Sequence, residues 1–208
     1  MAGQAGAACV PSGASGLLAS AISYALSACA RITPEEMALP TPCAEWDLEV
    51  LLAHLATSMA DLDSALWTGH LDLDQDEPKN TPRPDRPAAP CLGDDPVEVL
   101  RDRAANLLFA CYAHHGPGRF VLVGGLPLAA GIVACTGAVE IAVHGWDVST
   151  ARGRGAPIPP ALASRMLRLS PLLVTAREGL FGVPVPVPSQ ASPGDRLVAY
   201  LGRNPYTA

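Results

Sequence analysis

The sequence predicts an all-α fold built as a helical bundle, and three observations carry that prediction. Apolar residues recur at three- and four-residue intervals through several windows of helical length. The breaks between those windows are rich in proline and glycine. Strands alternating with crossover helices are not found, nor is an internal repeat. With 208 residues, 49% of them apolar and 16% charged, one domain with a sizeable core is expected over 15–208. Residues 1–14 are rich in alanine and glycine and read as a disordered N-terminus.

The first helix is predicted over residues 15–32, where Leu17, Leu18, Ile22, Leu26 and Cys29 share a face. Thr33-Pro34 and Leu39-Pro40-Thr41-Pro42 break it, because proline lacks a donor and biases its predecessor away from helix. A second helix starts between Thr41 and Trp46 and runs to about Trp67. Asp47 and Glu49 favour its N-terminal dipole, and Val50, Leu51, Leu55, Met59, Leu62 and Leu66 form its stripe. His54 lies on the edge of that stripe and is expected to point inward. The Pro-, Asp- and Arg-rich connection from Gly69 to Asp94 has the length that a crossover between non-adjacent helices requires.

A third helix is predicted from Pro96 to Tyr112, ended by His114-His115-Gly116-Pro117-Gly118. Phe120–Val123 could be a short extended piece. The fourth helix is placed from Pro127, a favoured first-turn residue, to Ala151. The twenty residues Phe120–Val139 carry no formal charge, but their glycines and the ionisable groups that follow fit a buried helix better than a membrane span. A fifth helix runs from Pro159/Pro160 to about Glu178, and a short last helix follows a Pro-Val-Pro-Val-Pro linker at 184–188.

Composition narrows the function classes. The net charge is −6, and Lys79 is the only lysine, so a nucleic-acid surface is not expected. The start lacks the basic region of a signal peptide, and a cytoplasmic location is expected, with no membrane partner. Cys9, Cys29, Cys43, Cys91, Cys111 and Cys135 form no CxxC pair and read as free thiols. No phosphate loop, nucleophile elbow or dinucleotide fingerprint is present.

The chemistry concentrates in Glu140-Ile-Ala-Val-His144-Gly-Trp-Asp147. On a helix, positions four apart are neighbours, so Glu140 and His144 can bind one ion, and an adjacent helix can bring His54 as a third ligand. Three protein ligands leave a coordination position for water or substrate. The alternative is a hydrogen-bonded Glu140–His144 pair and a satisfied core histidine at 54. Against it, Glu140 is a carboxylate in an apolar stretch with no Lys or Arg in the preceding twenty residues or the next eleven. Asp147, three after His144, is a candidate acceptor that orients the imidazole, or else a helix-surface carboxylate. Trp46 and Trp146 read as packing residues or pocket walls. Cys111, His114 and His115 have metal-capable spacing but straddle a helix end. Arg152 and Arg154 either attract an anionic substrate or complement a helix C-terminus.

Three motifs carry a resemblance: Thr41-Pro-Cys-Ala-Glu-Trp-Asp-Leu-Glu-Val-Leu-Leu-Ala-His54, Glu140-x-x-x-His144-Gly-Trp-Asp147, and Asp195-Arg-Leu-Val-Ala-Tyr-Leu-Gly-Arg-Asn-Pro205. Over residues 15 to 205 the chain resembles the mycothiol-dependent maleylpyruvate isomerase N-terminal family, among the DinB-like (YfiT-like) metalloproteins of actinobacteria. The resemblance implies an up-down-down-up four-helix bundle with a long crossover between helices 2 and 3 and additional C-terminal helices. It implies that His54, Glu140 and His144 bind a divalent metal, commonly zinc, with Ni2+ or Fe2+ as alternatives. It also implies mycothiol as a co-substrate. The family's isomerase has a second, catalytic C-terminal domain. The sequence stops at Ala208 without one, so thiol chemistry on another small electrophile is expected here. A hydrolase, lyase or cyclase using water, a non-catalytic ligand-binding bundle, and a structural metal closed by Cys135, His114 or His115 stay open. The expected partner is a small-molecule substrate, with a homodimer left open.

Overall fold

The computed structural model describes residues 13–44, 46–72, 95–114, 118–174 and 182–206. In chain order its elements are α1 (Ala14–Ala28), a 3-10 turn (Pro34–Glu36), α2 (Leu48–Thr68), β1 (His70–Leu71), α3 (Pro96–Ala113), β2 (Phe120–Val123), β3 (Leu126–Ala129), α4 (Ala130–Ala151), α5 (Pro160–Leu173) and α6 (Pro193–Tyr200). The chain is mostly helical, as the periodicity predicts. One small three-stranded sheet, in the order β1-β2-β3, departs from an all-α fold.

The core forms where the apolar stripes meet. Leu17, Leu18 and Ile22 of α1, Leu51, Leu55 and Met59 of α2, Leu100 and Leu107 of α3, and Ile141 of α4 are fully buried. Each contributes about 1.5–3 kcal/mol relative to remaining in water. Val50 departs from the predicted stripe and is exposed. Helix α1 packs mainly on α4, and α2 on α3 and α4.

The α1–α4 packing is tight at one point. A Cβ added at Gly145 would lie 2.8 Å from the Ala25 Cα and 3.0 Å from its Cβ. That neighbour is backbone and cannot rotate away. Gly145→Ala is therefore expected to destabilise: overpacking costs about 1–3 kcal/mol, against about 1 kcal/mol of improved helix propensity. At Gly137 the corresponding neighbour is the Leu62 side chain, which can change rotamer. Gly137→Ala should be milder in urea unfolding, and an equal or larger loss there would contradict this account.

The sheet corrects the expected start of the fourth helix. Pro127 lies in β3, not in a first helical turn, and α4 begins at Ala130. Gly124 and Gly125 both take positive φ, 54° and 81°, and form the two-residue turn that joins β2 to β3. Two left-handed residues suit the twist of a tight hairpin, and Gly-Gly adopts them without steric cost. Proline is tolerated in β3 because that strand is an edge. On its other side β2 pairs in parallel with β1, where Leu122 N–H donates to the Gly69 carbonyl at 2.8 Å. Arg119 donates to the carbonyl of Leu66 and so ties the hairpin to the end of α2.

Helix α1 stops at Ala28 rather than residue 32, and Arg31 adopts φ 56°. Helix α2 begins at Leu48, because Asp47 acts as its N-cap and accepts from Val50 N–H at 2.9 Å. Helix α5 is described from Pro160 to Leu173, with Pro171 in its last turn, and the expected end at Glu178 lies outside the described residues. Most of the expected crossover (73–94) and of the expected disordered N-terminus (1–12) lies outside the described residues, as do Cys9, Cys91 and His115. Cys29, Cys43, Cys111 and Cys135 are free thiols. Among the described residues, no helix is long and apolar enough to cross a membrane.

Arg152 follows α4, and its side chain is fully buried. It donates to the carbonyls of Ala28 at 2.7 Å, Ala30 at 3.0 Å and Arg31 at 2.9 Å, and to both carboxylate oxygens of Glu36. It closes the C-terminal end of α1, and its donors are committed there rather than to an anionic substrate.

Candidate metal centre

Two helices and one loop supply the cluster. Helix α2 carries His54 and Ser58, one turn apart on the same face. Helix α4 carries Glu140, His144 and Asp147 on its inner side. The loop before α2 is folded on itself: the Thr41 hydroxyl donates to the Trp46 carbonyl at 2.9 Å, and Trp46 N–H donates to the Cys43 carbonyl at 3.1 Å. This places the Trp46 ring 4.7 Å from the His54 ring and 6.2 Å from the His144 ring, centroid to centroid. Trp46 is thus a wall of the cluster, whereas Trp146 is buried in the core.

The fold brings His54, Glu140 and His144 together. One nitrogen or oxygen from each lies within 4.8 Å of the other two. His54 Nε2 is 3.4 Å from Glu140 Oε1, and the two imidazole rings sit edge to face at 4.9 Å. The Ser58 hydroxyl donates to Glu140 Oε1 at 2.7 Å. Burial works to raise the Glu140 pKa. Hydrogen bonds from His54 and Ser58, with the charges of His144 and His54, outweigh it and hold the carboxyl at about 2. Glu140 is therefore ionised and retains 36% side-chain exposure, while His54 and His144 keep 15% and 12%. The cluster is closed on the protein side and open at the carboxylate.

Asp147 is fully buried and is not a helix-surface carboxylate. Its Oδ2 lies 3.0 Å from His144 Nδ1. Burial opposes its ionisation, but the hydrogen bond from His144 and the charge of Arg203 keep its pKa below the ordinary value. An ionised carboxylate only accepts, so Nδ1 carries the ring proton and Nε2 is the nitrogen left for an ion. Arg203 grips the same carboxylate, Nη2 to Oδ2 at 2.9 Å and Nε to Oδ1 at 3.3 Å. Cys43 S–H donates to Oδ2 at 3.3 Å. Burial, then the Asp147 charge, push the Cys43 thiol up to about 12.

Sequence reasoning missed Ser58, Cys43 and Arg203. Ser58 had a signal, its four-residue spacing from His54. Cys43 and Arg203 lie inside motifs quoted above, but no periodicity links them to Asp147. Among the described residues, the groups able to hold an ion are His54–Glu140–His144 and Cys43–His144–Asp147. Neither contains Cys135, Cys111 or His114, so a fourth ligand from those residues has no geometric support. Cys111 donates to Ser15 Oγ at 3.4 Å, and the His114 ring packs on Trp67 at 4.3 Å. The donor set of the first group, two imidazoles and an ionised carboxylate beside a solvent-facing side, suits a divalent ion with an open position.

The family model described as the mycothiol maleylpyruvate isomerase N-terminal domain matches residues 18–149. Two Mycobacterium tuberculosis proteins, Uncharacterized protein Rv0738 of strain H37Rv and Uncharacterized protein MT0763 of strain CDC 1551, are similar to the chain. Each is 25% identical over 181 residues, covering 84% of this chain and 88% of its own. No solved structure matches the chain significantly.

Proposed function

The chain belongs to the mycothiol maleylpyruvate isomerase N-terminal domain family, and from that premise we propose a metal-dependent enzyme that uses a low-molecular-weight thiol, mycothiol, against a small electrophile. The observation that carries the reading is the convergence of His54, Glu140 and His144 within 4.8 Å. In this reading those three side chains hold one divalent ion, zinc ahead of Ni2+ or Fe2+. When bound, such an ion supplies a nucleophile at neutral pH by lowering the pKa of a coordinated thiol or water.

The chain's own groups do the rest. Asp147 holds the Nδ1 proton of His144 and so would leave Nε2 free to bind the ion. Ser58 fixes one oxygen of Glu140. Trp46 walls the cluster on the loop side, so thiol and electrophile approach past the exposed edge of Glu140. The reaction class is thiol transfer or isomerisation. A hydrolase, lyase or cyclase is the same site with water as nucleophile. The reading also takes 15–208 as a single cytoplasmic domain with the family's up-down-down-up bundle, and leaves homodimerisation open.

Metal analysis of the purified protein beside His54→Ala and Glu140→Ala tests it. The expected result is one divalent ion per chain in the parent and loss in both variants, with far-UV circular dichroism retained. Metal retained in both variants removes the assignment. Turnover of electrophiles that requires added mycothiol then separates thiol transfer from hydrolysis.

A further inference from the structure

We infer that Arg203, which follows α6, is a positioning residue for the metal ligand His144, acting through Asp147. The inference rests on the assignment of His144 as a ligand. Arg203 lies beyond residues 18–149, the span that the family model matches.

Three observations carry it. First, Asp147 is fully buried between helices, and a buried carboxylate needs a compensating cation. Arg203 supplies that cation with two teeth, one on each carboxylate oxygen. A planar fork fixes both the position and the plane of a carboxylate, which a point charge does not. The plane of the Asp147 carboxylate in turn sets the line along which Nδ1–H of His144 points.

Second, Arg203 is itself held. Its N–H donates to the Val198 carbonyl at 2.9 Å and its guanidinium to the Leu201 carbonyl at 3.2 Å. The preceding Gly202 has φ 89°, and a Cβ there would lie 2.6 Å from the Gly182 Cα. The turn that delivers Arg203 is locked against a neighbouring backbone, so the guanidinium has little freedom to follow a displaced carboxylate.

Third, the competing reading of the same atoms is weaker. Cys43, His144 and Asp147 could themselves cup an ion. The Arg203 guanidinium already occupies both Asp147 oxygens and lies 3.7 Å from the Cys43 sulfur. A second cation there would have to displace the first. The geometry favours a fixed support behind His144 over a second ion site.

The test compares the full chain with Arg203→Ala and Arg203→Lys. Zinc affinity is read by competition with a chromophoric chelator. The His144 ring is read in the metal-free protein by long-range proton–nitrogen spectra, and the fold by thermal unfolding of that same form. The parent should show a single Nδ1–H tautomer at His144. Arg203→Ala should mix the ring states and weaken zinc binding about 10–100-fold, the usual effect of losing a partner behind a ligand. Arg203→Lys keeps the charge without the fork and should recover part of both. Lower thermal stability with parental zinc affinity and an unchanged ring spectrum would mean that Arg203 only staples the C-terminal segment, and the inference fails. Should Arg203→Ala not fold, the lysine variant decides, and parental values there overturn the inference. If the parent binds no zinc, the ligand assignment fails, and the inference about a metal ligand falls with it. The metal-free ring spectrum then shows whether the Arg203–Asp147 hold on the imidazole exists apart from metal.

Discussion

Asp147→Ala is expected to cost the fold about 3–5 kcal/mol, because it strips a largely enclosed guanidinium of the fully buried carboxylate that it grips at both oxygens. Arg203 would keep the Leu201 carbonyl and the Cys43 sulfur, neither of which carries a formal charge. His144 Nδ1 and Cys43 S–H would lose their acceptor in the same step. The check is urea unfolding of Asp147→Ala, Arg203→Ala and the double variant. Removing both members removes the uncompensated charge, so the double variant should be more stable than the sum of the single losses by about 0.5–3 kcal/mol. An Asp147→Ala midpoint equal to the parent's would show that the carboxylate is not the hub described here.

Arg152→Ala is expected to cost about 3 kcal/mol. Hydrogen bonds from a charged group to acceptors are worth about 1.5–3 kcal/mol each, part of which water recovers at this partly accessible helix end. Three main-chain carbonyls and Glu36 would lose their donor together. Arg152→Lys should lose somewhat less, because one ammonium cannot span the fork and the carbonyls. The pair also predicts a pH effect. Hydrogen bonding from Arg152, then from Thr33 N–H, holds the Glu36 carboxyl below its ordinary pKa. The folded value is depressed, so its stabilisation is complete above the unfolded pKa of about 4.3 and is lost as pH falls through the folded value. Glu36→Gln should flatten the stability profile in that acid window and leave its shape near neutrality unchanged. An identical acid slope in parent and variant would refute the assignment.

The helices were legible because burial imposes a period on sequence. Leu51, Leu55, Met59 and Leu62 announce the inner face of α2 whatever packs against it. Glu140 and His144 were legible for the same reason, since a spacing of four is a local geometric fact. The hairpin was misread because Pro127 satisfies two rules at once: it suits a first helical turn and also an edge strand. The adjacent left-handed glycines at 124 and 125 decide the matter. Arg152 could not be placed from sequence, because its acceptors at the end of α1 are near only once Gly145 lets α4 approach Ala25. The contact of Arg203 with Asp147 spans 56 residues, and no repeat or periodicity in the chain encodes it.

The folded loop before α2 has a bearing on selectivity. Trp46 faces both histidines, yet it is not one of the three proposed ligands, and its backbone is tethered by Thr41. Under the proposed function, bulk at that one position would set how wide a guest the centre admits, while the three proposed ligands sit on α2 and α4. If the centre works as proposed, trimming the indole to leucine or alanine is the place to begin when re-tuning this scaffold for a larger guest, since it would remodel the doorway and leave the three proposed ligands untouched.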